Sequence, residues 1–301
     1  MDFLNAIYDK RDKPISDSSK KLYNRNLKKL NNDNDVTNFD FLKNPRVVLD
    51  KIKHHKPTTQ RSYIISICTV LKNEAKHKQF YDQYFDILTK MNNDLKVRTD
   101  KTEKQEKNWM SNDEINDIYK KLSLKIVKKI KTKEDFNNLL NYVVLSLYTL
   151  HKPRRNIDYT LMKISNDTSN DEFNYLDMNR QIFIFNNYKT KGKYDKVIVP
   201  IEDNLFDIIK LYLSNHPDKS KLKNKNYNVH FLVNSYNEPI NKSNDMTRLL
   251  NKIFGKKIGS SMLRNMFLTN KYGDMIGELK KDTNQMSTSV DVALDTYIKS
   301  T

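Results

Sequence analysis

The sequence predicts a mainly α protein in two parts, the second of which holds a small antiparallel β-sheet. Three observations carry this reading. Apolar residues recur at helical spacing through the first hundred positions. Residues 96–107, KVRTDKTEKQEK, hold no apolar residue after Val97. Three later stretches, FNYLDM, RQIFIFNNYKT and DKVIVPI, alternate apolar and polar residues with a period of two. A chain of 301 residues is long enough for two domains and a sizeable core in at least one. The expected division is a helical unit over 1–97, a linker over 98–108 and a second domain over 109–301.

In the first unit, Ser18 is placed to cap a helix that carries Leu22, Leu27 and Leu30. PRVVLDKIKHH begins with a proline suited to a first helical turn. A third helix follows PTTQ and sets Tyr63, Ile64, Ile67, Val70 and Leu71 at helical spacing, and FYDQYFDILTKMNNDL is a fourth. After the linker, Ser111 and Glu114 form a capping box. Residues 135–150, DFNNLLNYVVLSLYTL, are apolar almost all round, as a central buried helix requires. The period-two stretches then read as a three-stranded antiparallel sheet, with turns containing Asn179 and Gly192. Helices are expected at 203–215, at 243–254 and from about 261 to the end, with HFLVN open to a short strand. In the tail, SVDVALDTYIKST, the residues Val290, Ala293, Leu294 and Tyr297 fit a short amphipathic helix that docks.

Composition narrows the function. Lys and Arg number 54 against 37 Asp and Glu, a net charge of +17, which favours a polyanionic partner, most simply nucleic acid. The Lys- and Asn-rich composition of an AT-rich genome accounts for part of that charge. The one cysteine, Cys68, lies in the apolar run YIISICTVL and reads as core. It excludes a disulfide within the chain and fits a reducing, intracellular setting, cytoplasm or nucleus. No apolar run reaches the roughly 20 residues of a membrane span, and MDFLNAIYDKRDK lacks the apolar stretch of a secretory signal. Five glycines and neither GxGxxG nor GxxxxGK[ST] argue against a dinucleotide fold or a P-loop. The six histidines read as surface residues in no metal-binding pattern, so neither metal nor cofactor is expected.

Three segments of the second domain carry candidate chemistry. In LHKPRRNIDYTLM, Pro153 is placed to open a helix with Arg154 and Arg155 in its first turn, where an arginine fork suits a phosphate. Asp158 is close enough in sequence to orient the guanidinium of Arg155. In NNYKTKGKYDKVIVPI, Lys189, Lys191 and Lys193 cluster about a hairpin turn. In GSSMLRNMFLTNKYG, Arg264 interrupts an apolar helix, so it either meets a carboxylate in the core or faces a bound anion.

The order arginine, hairpin lysine, arginine, C-terminal tyrosine resembles the tyrosine recombinase and integrase family, from about residue 16 to the end. The family motif R-x-x-E-L-x-x-L is matched by Arg155, Asp158, Tyr159 and Met162, with Asp for Glu. TKGKYDKVIVPI is similar to the family's lysine hairpin and V-P-L-like strand. HFLVNSYNEPINKSNDMTRLL is similar to the strand, turn and helix ahead of its second arginine. Ser261-Met262-Leu263-Arg264-Asn265 stands for H-x-L-R-H. Met286-Ser287-Thr288-Ser289 stands for L-G-H-S, with the family's spacing of nine from Thr288 to Tyr297.

The resemblance implies an N-terminal helical (SAM-like) core-binding domain and an α/β catalytic domain, closing around double-stranded DNA as a clamp. It implies a metal-independent transesterification in which Tyr297 attacks phosphorus, Arg155 and Arg264 clamp the phosphate, and Lys191, or else Lys189, protonates the leaving oxygen. Arg154 and Lys193, with Thr58, Thr59 and Arg61 of the first unit, are the implied DNA contacts, and a homo-oligomer, a tetramer, is the implied assembly on DNA. Ser261 and Thr288 occupy the family's two histidine positions, where a hydroxyl donates a hydrogen bond but is no general base near neutral pH. A type IB topoisomerase shares these residues, and a non-catalytic DNA-binding relative stands as the other alternative. The Lys/Asn bias fits a mobile element or a large DNA virus.

Overall fold

Side-chain caps written into the sequence start many of the helices. The computed structural model describes residues 3–96, 100–127, 129–224 and 226–299; the side chains of Lys96 and Lys193 lie outside the described set. The chain divides into two compact units, residues 1–101 and 102–301. Residues 98 and 99 of the expected linker are outside the described residues.

The first unit holds α1 (Phe3–Asp9), α2 (Asp17–Leu30), α3 (Pro45–Ile52), α4 (Pro57–Leu71) and α5 (Lys78–Lys96). The cap of α2 is Ser16 rather than Ser18: its hydroxyl accepts the amide of Ser19 at 3.4 Å. Prolines open α3 and α4, as their fixed φ favours. The apolar face read from the sequence is the core face, with Ile64, Ile67 and Val70 of α4 fully buried against Leu27, Val48 and Tyr84. Most buried polar side-chain groups of this unit are paired, Arg11 Nε being an exception. Asn26 Nδ2 donates to Ser66 Oγ at 3.0 Å, and Tyr84 Oη donates to the Leu42 carbonyl at 2.9 Å. Cys68 is in this core, and burial pushes its thiol up to about 12.

The second unit begins inside the expected linker. Thr102 and Gln105 form a reciprocal capping box that starts α6 (Glu103–Asn108), which the polar composition of the segment concealed. Then come α7 (Asn112–Ser123), with its Ser111–Glu114 box, and α8 (Lys133–Thr149), whose Leu139, Val143, Val144, Leu145 and Leu147 are all fully buried. Next are α9 (Asn156–Tyr159), β1 (Lys163–Ser165), β2 (Tyr175–Asp177), β3 (Ile182–Phe185), α10 (Lys191–Tyr194), β4 (Val197–Pro200), α11 (Asp203–Ser214), β5 (Asn228–His230), α12 (Ser243–Phe254), α13 (Ser260–Gln285) and α14 (Val290–Val292). A π-turn follows over Ala293–Tyr297.

The sheet is mixed and five-stranded, in the order β4-β3-β2-β1-β5, rather than antiparallel and three-stranded. β2, β3 and β4 pair antiparallel, Leu176 opposite Phe183 and Ile184 opposite Ile198. β1 adds parallel to β2, and β5 adds antiparallel to β1. Both extra strands are three residues long, as is β2, and β5 lies ahead of the stretch HFLVN that the sequence leaves open to a strand, sharing only His230 with it. Edge strand β4 keeps the expected alternation, whereas β3 is buried on both faces from Phe183 to Phe185. No helix among the described residues is long and apolar enough to cross a membrane.

Candidate functional site

Arg155 and Arg264, 109 positions apart, line one cavity of about 240 Å³, together with Pro153, Arg154, Asp158, Tyr188, Thr190, Tyr194 and Val197. Its walls come from the segment before α9, the connection from β3 to β4, the start of β4 and the second turn of α13.

The two neighbouring arginines differ in their surroundings. Pro153, Arg154 and Arg155 precede the helix instead of lying in its first turn, and Arg155 is the N-cap of α9. Asp158 orients Arg154 and not Arg155: Arg154 Nε donates to Asp158 Oδ2 at 2.9 Å. The Arg154 guanidinium also lies 3.7 Å from the ring centre of Phe185 and 5.7 Å from that of Tyr188. Both partners of this ion pair are largely buried, so its geometry matters more than that of a surface pair. Burial pushes the Asp158 carboxyl above the usual carboxylate range, against the opposing pull of Arg154, and its Oδ1 has no hydrogen-bond partner among the described residues.

Asp158 is thus engaged by Arg154, while Arg155 and Arg264, both half-buried, form no ion pair among the described residues. Of the two options left open for Arg264, it forms no ion pair with a carboxylate among the described residues and instead lines this cavity, which Asp158 also borders. Two half-buried guanidinium groups without an ion-pair partner among the described residues are chemically suited to hold an anion of phosphate size.

Asn156 braces the site. It is buried immediately after Arg155, its Nδ2 donates to the Ser243 carbonyl at 3.1 Å and to Thr247 Oγ1 at 2.9 Å, and its Oδ1 accepts from Tyr148 Oη at 2.7 Å. Its backbone amide donates to Ser260 Oγ, at the first residue of α13, at 3.2 Å. One asparagine therefore ties α8, α9, α12 and α13, and so fixes the segment bearing Arg155 against the helix bearing Arg264. Nothing in the sequence marks Asn156, because a buried polar residue is recognisable only by its partners.

The remaining expected residues stand elsewhere. Lys189 is exposed, and Lys191 opens α10 with its Nζ 3.9 Å from Asp171; neither lines the cavity. Gly192 lies inside α10, so the β3–β4 connection is a helical turn rather than a tight hairpin. The side chain of Lys193 lies outside the described residues. Tyr188 and Tyr194, which the sequence reading passed over, line the cavity instead, and Tyr188 Oη donates to the Asp195 carbonyl at 2.6 Å.

Ser261 is exposed at the start of α13, and Thr288 is half-buried after its end, with its amide on the Thr283 carbonyl at 2.9 Å. Tyr297 does not line the cavity and is 60% exposed. Of the tail residues expected to dock, Ala293 is buried while Leu294 and Tyr297 are not. In the first unit, Thr58 and Thr59 are exposed in the first turn of α4, and Arg61 donates through Nε to Asn92 Oδ1 at 2.5 Å.

No family model, no curated protein and no solved structure matches this chain. Among the described residues, no group of three or more His, Cys, Asp or Glu side chains is arranged to hold a metal ion.

Proposed function

We propose that this chain is a site-specific DNA strand transferase of the tyrosine recombinase type, which cuts and rejoins duplex DNA through a 3′-phosphotyrosyl intermediate. The observation that carries the reading is the shared cavity of Arg155 and Arg264, the two positions that the motif resemblance assigns to the phosphate clamp. A second observation supports it. Ser287, which stands where the resembling L-G-H-S motif has glycine, holds a left-handed φ of 55°.

In this mechanism the two arginines bind the non-bridging oxygens of the scissile phosphate and stabilise the charge that grows on them. The phenolic oxygen of Tyr297 gives its proton to water and forms the new bond to phosphorus, the bond to the 5′ oxygen breaks, and Lys191 or Lys189 delivers a proton to that leaving oxygen. Rejoining runs the same steps backwards. The reaction requires Tyr297 to approach the cavity, of its own chain or of a neighbouring copy in a DNA-bound oligomer. An assembly of four, the helical first unit acting as a core-binding domain, and an intracellular setting belong to the same proposal. Arg154, Lys193, Thr58, Thr59 and Arg61 serve as DNA contacts in it.

The exposure of Tyr297 favours a second reading, a DNA-binding protein without strand transfer. A nicked suicide substrate separates the two. The wild-type chain is expected to form a denaturant-resistant adduct, in excess chelator as well, and Tyr297→Phe to bind DNA without forming one. An adduct with the Phe variant would overturn the nucleophile, and no adduct with either chain would leave the binding reading.

A further inference from the structure

The second unit has another basic concavity, which the strand-transfer reading does not use. An open groove of about 860 Å³ runs between α6 and the end of α12, and Lys104, Lys107, Lys252, Lys256 and Lys257 line it with Glu103. Lys256 is engaged: its Nζ donates to the Trp109 carbonyl at 3.2 Å and lies 3.9 Å from Glu114. The other four lysines are exposed and form no ion pair among the described residues.

The walls are tied together. Asn108, at the end of α6, is buried; its Oδ1 accepts the Lys257 amide at 2.8 Å, and its Nδ2 donates to the Lys104 carbonyl at 2.8 Å. Gly255 makes the turn after α12 with φ 62°, a left-handed conformation that suits glycine.

Local helix stability does not account for the charge. Lys252 and Lys107 lie in the last turns of α12 and α6, where a cation is favoured, but Lys104 lies in the first turn of α6, where it opposes the helix dipole, and Lys257 lies in neither helix. Clustered like charges without counter-ions on a tied scaffold repel one another, and an extended polyanion relieves that repulsion.

We infer that this groove is a track for the phosphodiester backbone of duplex DNA, away from the reacting phosphate. It rests on the strand-transferase reading only for the choice of DNA as the polyanion. Its contacts are sequence-independent and work by displacing condensed counter-ions.

The test is equilibrium binding of the full chain to duplex DNA over a range of salt concentrations. The variant K104Q/K107Q/K252Q/K257Q is compared with a control of equal charge loss on the same unit, K120Q/K121Q/K210Q/K221Q, whose residues are all exposed. For the groove variant we expect affinity to fall about tenfold or more at physiological salt, and the slope of log affinity against log salt to shrink by about 3. The control should change both far less. Equal effects in the two variants, or an unchanged slope in the groove variant, would overturn the track. Covalent trapping on the suicide substrate is scored separately. Wild-type trapping with no groove effect removes this inference and leaves the enzyme; a groove effect without wild-type trapping does the reverse.

Discussion

The arginine cavity and the C-terminal segment are two parts of one proposed site, and they are built in opposite ways. Beneath the cavity the side chains are cross-linked, Arg154 on Asp158 and Phe185 and Asn156 on three other helices, and only Tyr194 on its wall is exposed to a degree like that of the tail. In the tail, Ala293 is buried, while Leu294, Tyr297 and Ile298 are exposed by about half or more. In the proposed reaction the contrast means that the anion site would be prepared in advance by the fold, whereas delivery of Tyr297 would wait for something outside it. A charge-stabilising group must be rigid to work, because its contribution comes from not having to reorganise. A nucleophile that must strike only on a correctly assembled substrate gains from being held back.

The largest expected effect breaks the prepared half. Arg264→Ala should lower the rate of covalent cleavage by about 10²–10³-fold, as loss of one preorganised charge-stabilising donor does. Duplex affinity should change little, because many phosphates are held elsewhere. Single-turnover cleavage and equilibrium binding, measured on the same preparation, check this, and equal losses in both would reduce Arg264 to an ordinary phosphate contact.

The brace comes next. Asn156→Ala removes three side-chain hydrogen bonds and leaves Tyr148 Oη without its acceptor, which should cost about 3 kcal/mol. Leu294→Ser in the exposed tail should stay within about 0.5 kcal/mol of wild type. Denaturant unfolding of the two variants side by side measures the contrast directly. A brace variant as stable as the tail variant would dissolve the distinction between the two regions.

A pH test sharpens it further. Burial depresses the pKa values of His151, His216 and His230, all in the second unit, and the backbone amide of Asp218 donates to His216 Nδ1 at 3.0 Å, which requires that nitrogen to be unprotonated. The unfolded chain therefore binds more protons than the folded one below the ordinary histidine value, and stability should fall as pH drops below about 6.5. Asp158, raised by burial, acts in the opposite sense. The unfolding midpoint followed from neutral pH to about 5.5 should decline, and His216→Gln should flatten that decline. An identical slope in the variant would exclude His216 as a source.

The smallest effect lies at the join between the regions. Ser287 carries a φ of 55° between α13 and the tail, so Ser287→Gly should stabilise the chain by about 0.5 kcal/mol, the relieved strain partly offset by glycine's freedom in the unfolded state. A calorimetric midpoint at or below wild type would show that the serine is not strained there.

Helices α3, α4, α7 and α8 were legible because each combines a cap or an opening proline with apolar residues in the body of the helix, whereas α11 and α12, which have no side-chain cap, were legible from the spacing of their apolar residues alone. Strands β2 to β4 were legible from the alternation of the longer stretches that contain them; β1 was not anticipated, and β5 shares only His230 with the stretch HFLVN that the sequence leaves open to a strand. The linker reading failed from residue 103 onward, since composition registers the absence of apolar residues but not the Thr102–Gln105 cap. The tail pattern read as a docked helix because spacing describes a face and not what covers it.

By itself the sequence determined the mainly helical composition, the three core strands, the strongly basic charge and the presence of two arginines in unusual settings, all of which follow from local spacing and residue chemistry. Only the tertiary structure decided that Asp158 belongs to Arg154, that Asn156 joins the arginine segments, that Arg155 and Arg264 face one cavity, and that Tyr188 and Tyr194 complete its wall. Partners so far apart along the chain are chosen by how helices and strands pack, and no local pattern encodes that choice.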